Sequence, residues 1–196
     1  MTAIIELEKA TSKVSPKRFR VEDFRKMTEA GILPEESGWE IIDGFLIDKM
    51  TIGSRHAGVV NRLNRFLTIW AGTRAVTAIQ NPIHLGEYNQ PEPDIALLKP
   101  RADFYAESHP TPTDVLLLVE VSDSTVEYDR EIKKSLYAAN EIQEFWLVNL
   151  KQNTIECYSQ PKNGNYRLAR IFERDETIKS DTIENLQIEI NEILVS

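Results

Sequence analysis

Five apolar residues in succession, Val115 to Val119, run directly into Glu120. A run of that kind has no side left for solvent, so Asp114 to Val121 reads as a central strand covered on both faces. Such a strand needs neighbours. Two strand-like runs precede it, Ala75 to Gln80 and Pro93 to Leu98, and four follow: Glu144 to Leu150, Thr154 to Ser159, Tyr166 to Phe172 and Ile183 to Ile190. Helical spacing interrupts them. Ser54 to Trp70 places Val59, Leu63, Phe66, Leu67 and Trp70 on one stripe with Arg62 and Arg65 beside it, and Val126 to Asn140 reads as a second long helix. Upstream, Val21 to Ala30 has helical spacing and stops at Gly31. Trp39 to Asp43 and Phe45 to Met50 are joined by Asp43-Gly44, a dipeptide that tolerates the positive φ of a tight hairpin turn. The order predicts an α/β (α+β) layer fold, a mixed central sheet flanked by helices with an N-terminal helix and β-hairpin.

With 196 residues the chain is long enough for one substantial core and short for two, so we expect a leader over 1–15 and a single domain over 16–196. Cys157 is the only cysteine, which excludes a disulfide framework and a cysteine-rich zinc site and suits a reducing, cytoplasmic setting. No window reaches the roughly 18 consecutive apolar residues of a membrane span, so no membrane partner is expected. The net charge of −8 argues against a protein that coats nucleic acid generally. Its distribution tempers that: residues 1–74 carry +2 and residues 75–196 carry −10. Thr51 to Arg74 holds four arginines, 55, 62, 65 and 74, and no carboxylate. A phosphate backbone would be welcome there, and Arg55, Arg62 and Arg65 are the candidate phosphate contacts; a solvated helix face is the plainer account of the same run.

Glu120 ends the most apolar strand, where an ionised carboxylate costs several kcal/mol of desolvation unless it is paired or bound to a cation. Asp94, after Pro91-Glu92-Pro93, enters the apolar run Ile95 to Leu98 in a similar setting. If the two strands are neighbours, the acids converge at one sheet edge and need a positive partner. A hard cation such as Mg²⁺ or Mn²⁺ answers that need and leaves positions for water and a phosphate oxygen. Lysine is the expected companion. Lys133 shares a helix face with Leu136, Tyr137 and Asn140, whereas Lys134 is rotated by about 100° and points to solvent. A structural salt bridge of Glu120 with Lys133 or Arg130 accounts for the same residues. Glu40, in the hairpin, is a candidate third acid or a surface glutamate. His56 reads as a packed or capping histidine and Tyr137 as a packing residue that orients Lys133, while His84 and His109 carry no signal.

At these residues the sequence resembles the PD-(D/E)XK, restriction-endonuclease-like superfamily, and within it the Uma-two-type family. The matching pieces are Trp39-Glu40-Ile41-Ile42-Asp43-Gly44, Arg55-His56, Pro93-Asp94, Leu117 to Ser122, Asp129-Arg130 followed by Lys133 and Tyr137-Ala138, and Glu144-Phe145-Trp146-Leu147-Val148. The resemblance implies a restriction-endonuclease-like sheet and metal-binding roles for Asp94 and Glu120, with the Val121 carbonyl as a further ligand. It implies Glu40 as the acid that precedes the core. One departure stands out: two positions after Glu120 the pattern has lysine and this chain has Ser122, the lysine being supplied instead by Lys133. The implied activity is Mg²⁺-dependent hydrolysis of DNA phosphodiesters. A catalytically silent nuclease-fold binding or regulatory module, or a metal-dependent hydrolase of another phosphate ester, are the alternatives. Many relatives of the fold act as dimers, so a homodimer is a further partner to consider.

Overall fold

The computed structural model describes residues 16–33, 38–49 and 52–194. Its contacts fall into two compact units, Met1–Lys49 with Gly86–Gln90, and Met50–Leu85 with Pro91–Ser196. The leader proposed for 1–15 lies outside the described residues.

In the larger unit six strands form one sheet in the order β3-β4-β5-β6-β7-β8: β3 Val76–Ile79, β4 Ile95–Leu98, β5 Val115–Ser122, β6 Glu144–Asn149, β7 Thr154–Lys162 and β8 Asn165–Phe172. Every neighbouring pair is antiparallel except β5 and β6, which run parallel. A parallel pair needs a crossover, and the chain supplies it as α3, in three consecutive pieces, Val126–Tyr128, Asp129–Lys133 and Lys134–Ala139. The apolar run thus occupies the interior of the sheet, as its lack of a polar side demands.

Its two faces feed two cores. Leu117, Val119 and Val121 pack with Val59, Leu63 and Leu67 of α2 (Ser54–Ala71) and with Trp146 and Val148 of β6. Leu118 packs with Phe145, Leu147 and Tyr137 on the opposite, α3 face. Each such side chain, once buried, contributes about 1.5–3 kcal/mol from removal of apolar surface. Among the described residues no helix is long and apolar enough to cross a membrane.

Three expectations need correction here. The strand expected over Ile183 to Ile190 is short: β10 covers Gln187–Glu189, pairs with β9 (Thr177–Lys179), and gives way at once to the helical turn α4, Ile190–Ile193. The reason is local, because Asn185 takes φ +60° and residues 180–182 are gathered by the Glu144 carboxylate. That carboxylate accepts the Ser180 hydroxyl at 2.7 Å, the Asp181 and Thr182 amides at 3.1 and 3.0 Å and the Thr182 hydroxyl at 2.7 Å. Pro93 and Asp94 stand just before β4 and not within it, and Asp114 closes a 3₁₀ turn, Pro112–Asp114, ahead of β5.

The smaller unit holds α1 (Val21–Glu29) and the hairpin β1 (Trp39–Ile42) with β2 (Phe45–Asp48), packed around Phe24, Leu33 and Ile41. The hairpin turn is the one anticipated, with Asp43 at φ 51° and Gly44 at φ 78°. Glycine is required there twice over. A Cβ would lie 2.7 Å from Cβ of Arg18 and 3.0 Å from the Phe19 carbonyl oxygen.

Candidate active site

The antiparallel register pairs Ile95 with Val119, which sets Asp94 alongside Glu120 at one end of β4 and β5. Both acids are buried, with 6% and 4% of their surface exposed. Asp94 is gripped from the α2 side. Its Oδ2 accepts the Val121 amide at 2.8 Å and lies 3.1 Å from Nε2 of His56, in the first turn of α2, while Oδ1 accepts the Gln80 side-chain amide at 3.3 Å. Gln80 sits at φ +51° immediately after β3. Burial pushes the Asp94 carboxyl upward, but the His56 hydrogen bond and charge, the Val121 amide and the Lys133 ammonium outweigh it and hold the group below the usual aspartate range. His56 answers in kind. Burial disfavours its charged form, yet Asp94 raises it above the ordinary histidine value.

Glu120 is gripped from the α3 side. Its Oε1 accepts the Lys133 ammonium at 3.1 Å and the Tyr137 hydroxyl at 2.6 Å. Lys133 is itself buried, 4% exposed. The spacing of four between Lys133 and Tyr137 brings both to one oxygen, as two residues one turn apart on a helix face should be. Arg130 goes elsewhere: it forks onto Glu156 of β7 at 3.0 and 2.5 Å, and so is no partner of Glu120. Lys134 lies over the Tyr158 ring, 5.0 Å from its centroid, where the helix-face argument had placed it in solvent.

α3 is not the uniform helix expected over Val126 to Asn140. Asp129–Lys133 forms a π turn, in which the Lys134 amide reaches the Asp129 carbonyl five residues back. Turns of this kind occur often at functional sites. Asp129 lies buried inside it, accepting the Ser122 hydroxyl at 2.6 Å and the Thr125 hydroxyl at 2.8 Å, with Oδ1 4.0 Å from the Lys133 nitrogen.

Val121 contributes its amide to Asp94. Glu40 is buried on β1 of the smaller unit, opposite Ile47 in the hairpin register. Arg55, Arg62 and Arg65 are exposed along α2, and Arg55 donates to Asn153 at 2.6 Å. Among the described residues no three His, Cys, Asp or Glu side chains are arranged to hold a metal ion.

Four residues make contacts in this cluster beyond those expected from the sequence. Nothing in the sequence points to Gln80. His56 depends on where the first turn of α2 meets β4, which periodicity does not report. Tyr137 was placed correctly on the Lys133 face but without its hydroxyl bond to Glu120. Asp129 had a readable signal, the spacing of four in Asp129, Lys133 and Tyr137.

The family model described as "Putative restriction endonuclease", Uma2, matches residues 21–191 of the chain. The chain belongs to the Uma2 family. A solved structure with the same fold is the crystal structure described as that of a putative nuclease from Anabaena variabilis, at TM-score 0.68 and 17% identity, covering 89% of this chain and 97% of that one. At that identity the likeness speaks for the fold alone. A comparison with curated proteins finds no match. The fold and family expected from the sequence therefore both hold for this Uma2 member.

Proposed function

We propose that this Uma2-family protein is a divalent-metal-dependent endonuclease that hydrolyses DNA phosphodiester bonds, with Asp94 and Glu120 holding the metal and Lys133 beside the attacking water. The observation that carries the reading is a buried ammonium, Lys133, 3.1 Å from a buried carboxylate, Glu120, at the strand end where Asp94 also stands. Asp94 has its own partners in His56, Gln80 and the Val121 amide, and a shared cation is what accounts for two buried acids brought to the same strand end. Mg²⁺ suits the donor set, since it takes one or two carboxylates and keeps several waters rather than demanding an all-protein cage. The Val121 carbonyl is a further donor in this reading. When bound, the ion polarises a phosphate oxygen and lowers the pKa of a bound water.

The chain's own groups supply the rest. His56, Gln80 and the Val121 amide hold Asp94 in one orientation. Tyr137 fixes Glu120 Oε1. Lys133 donates a hydrogen bond to the incoming water and offsets the negative charge that gathers on phosphorus-bound oxygens; as the water oxygen bonds to phosphorus it gives up a proton to solvent, and the leaving oxygen takes one from solvent as its bond to phosphorus breaks. DNA is favoured as substrate by the family description and by the exposed Arg55, Arg62 and Arg65 on a helix that bears no carboxylate.

The test incubates purified protein with supercoiled plasmid DNA, RNA and a small aryl phosphodiester, with Mg²⁺ or with a chelator. The expected result is Mg²⁺-dependent nicking of DNA, faster than hydrolysis of the small diester and lost in Asp94→Asn. Equal hydrolysis of the small diester makes it a general phosphodiesterase, and no hydrolysis of any substrate refutes the enzymatic reading in favour of a binding module.

A further inference from the structure

Asp129 is a buried acid for which the proposed hydrolysis has no use. The Lys133 ammonium stands 3.1 Å from the Glu120 carboxylate and 4.0 Å from that of Asp129. Two hydroxyls, from Ser122 at 2.6 Å and Thr125 at 2.8 Å, converge on Oδ2 of Asp129 and leave its Oδ1 facing the lysine. Ser122 belongs to the strand that carries Glu120, and Thr125 precedes the helix that carries Lys133. The acid therefore ties the helix to the strand at the point where the helix delivers its lysine.

The backbone makes the same point. Asp129–Lys133 is the π turn, closed by the Lys134 amide on the Asp129 carbonyl. One residue more in a turn rotates everything beyond it by about 100° relative to a regular helix. Asp129, Lys133 and Tyr137 are all buried, and the last two meet on Glu120 Oε1. The extra residue thus sets the phase between the part of the helix that holds Asp129 and the part that holds Tyr137.

We propose that Asp129 is the positioning residue of Lys133: anchored by Ser122 and Thr125 and carried in the π turn, it holds the ammonium against Glu120 instead of letting it swing to solvent. A strand serine is left free for this duty because the lysine comes from the helix. The kinetic side rests on the nuclease reading, whereas the conformational side does not.

Asp129→Asn is the direct test, since the amide keeps an oxygen for the two hydroxyls and removes the charge. The melting temperature of the variant is measured alongside, because its amide NH2 group takes the place of the oxygen that stood 4.0 Å from the Lys133 ammonium. Lys133 is then probed with acetic anhydride, its modification rate read by mass spectrometry against Lys134 as internal reference, and DNA cleavage is measured in parallel. Expected are Lys133 acetylation several-fold faster than in the wild type and kcat reduced by up to about 100-fold, the scale of an ångström of misplacement, with KM within threefold. Ser122→Ala should shift both readouts in the same direction by less, and it carries the test should Asp129→Asn not fold. A Lys133 as protected as in the wild type overturns the proposal, as does lost activity that merely follows a fall in melting temperature. If the wild type cleaves nothing, the nuclease reading fails while Lys133 protection still decides the role of Asp129.

Discussion

Replacing Lys133 by Met removes one member of a buried ion pair, and the structure lets the consequence be estimated. The ammonium and the Glu120 carboxylate are each 5% exposed and 3.1 Å apart. At an effective dielectric of about 20 their attraction is about 5 kcal/mol, offset by several kcal/mol spent in stripping water from each ion. The net worth of the pair is therefore small. The variant, however, leaves Glu120 buried with the Tyr137 hydroxyl and without its cation, and breaking a buried pair in this way costs about 3–5 kcal/mol. Methionine fills the volume, so the lower figure is expected, about 3 kcal/mol, which lowers the melting temperature by about 6–12 °C for a unit of this size. Glu120→Gln should destabilise less, since the amide is neutral and Lys133 still has Asp129 at 4.0 Å. The double variant should recover at least 1 kcal/mol relative to the sum of the two. Urea unfolding of the four proteins, with matched m-values, measures the cycle. Additive effects within 0.5 kcal/mol, or a Lys133→Met protein as stable as the wild type, would refute the claim that the two charges depend on one another.

Four further outcomes follow from single contacts. Tyr137→Phe deprives buried Glu120 of a 2.6 Å donor and should cost about 1–3 kcal/mol in thermal unfolding; no change would mean the hydroxyl is idle. His56 binds its proton more tightly folded than unfolded, because Asp94 outweighs burial, so its stabilising share is complete below pH 6.5 and declines as pH rises through the raised folded value. The stability difference between wild type and His56→Gln, followed by urea midpoint from pH 6 to 9, should therefore shrink with rising pH, and a flat difference would contradict the His56–Asp94 pairing. Leu117→Ala opens a void in the fully buried α2-facing core and should cost about 2–5 kcal/mol by calorimetry. Gly44→Ala forces a side chain into φ +78° and against Arg18, so about 2 kcal/mol of destabilisation is expected, readable as a lower urea midpoint.

The sheet and its layers were legible because Val115 to Val119 has no polar face, which allows only a strand enclosed on both sides. The hairpin was legible from Asp43-Gly44 for the same kind of reason: few dipeptides accept two positive φ values. Lys133 emerged from helical period alone, and the period held because the four residues from Lys133, the last of the π turn, to Tyr137 run through the regular helical piece that follows. The π turn itself was hidden, since a one-residue excess leaves no trace in a pattern that tolerates spacings of three and four. β9, three residues long, is too short for alternation to register. β10 gives way to a helical turn at Ile190 where the apolar pattern continues, so pattern could not mark its end. His56 and Gln80 reach Asp94 through contacts between α2, β3 and β4 that are set by packing and not by any local spacing.

Crystals of the protein soaked in Mn²⁺ and examined at the manganese absorption edge test the central claim most directly. An anomalous peak within coordination distance of both Asp94 and Glu120, absent from Glu120→Gln crystals, is the result predicted here. A peak elsewhere on the surface with none between these two carboxylates would contradict it.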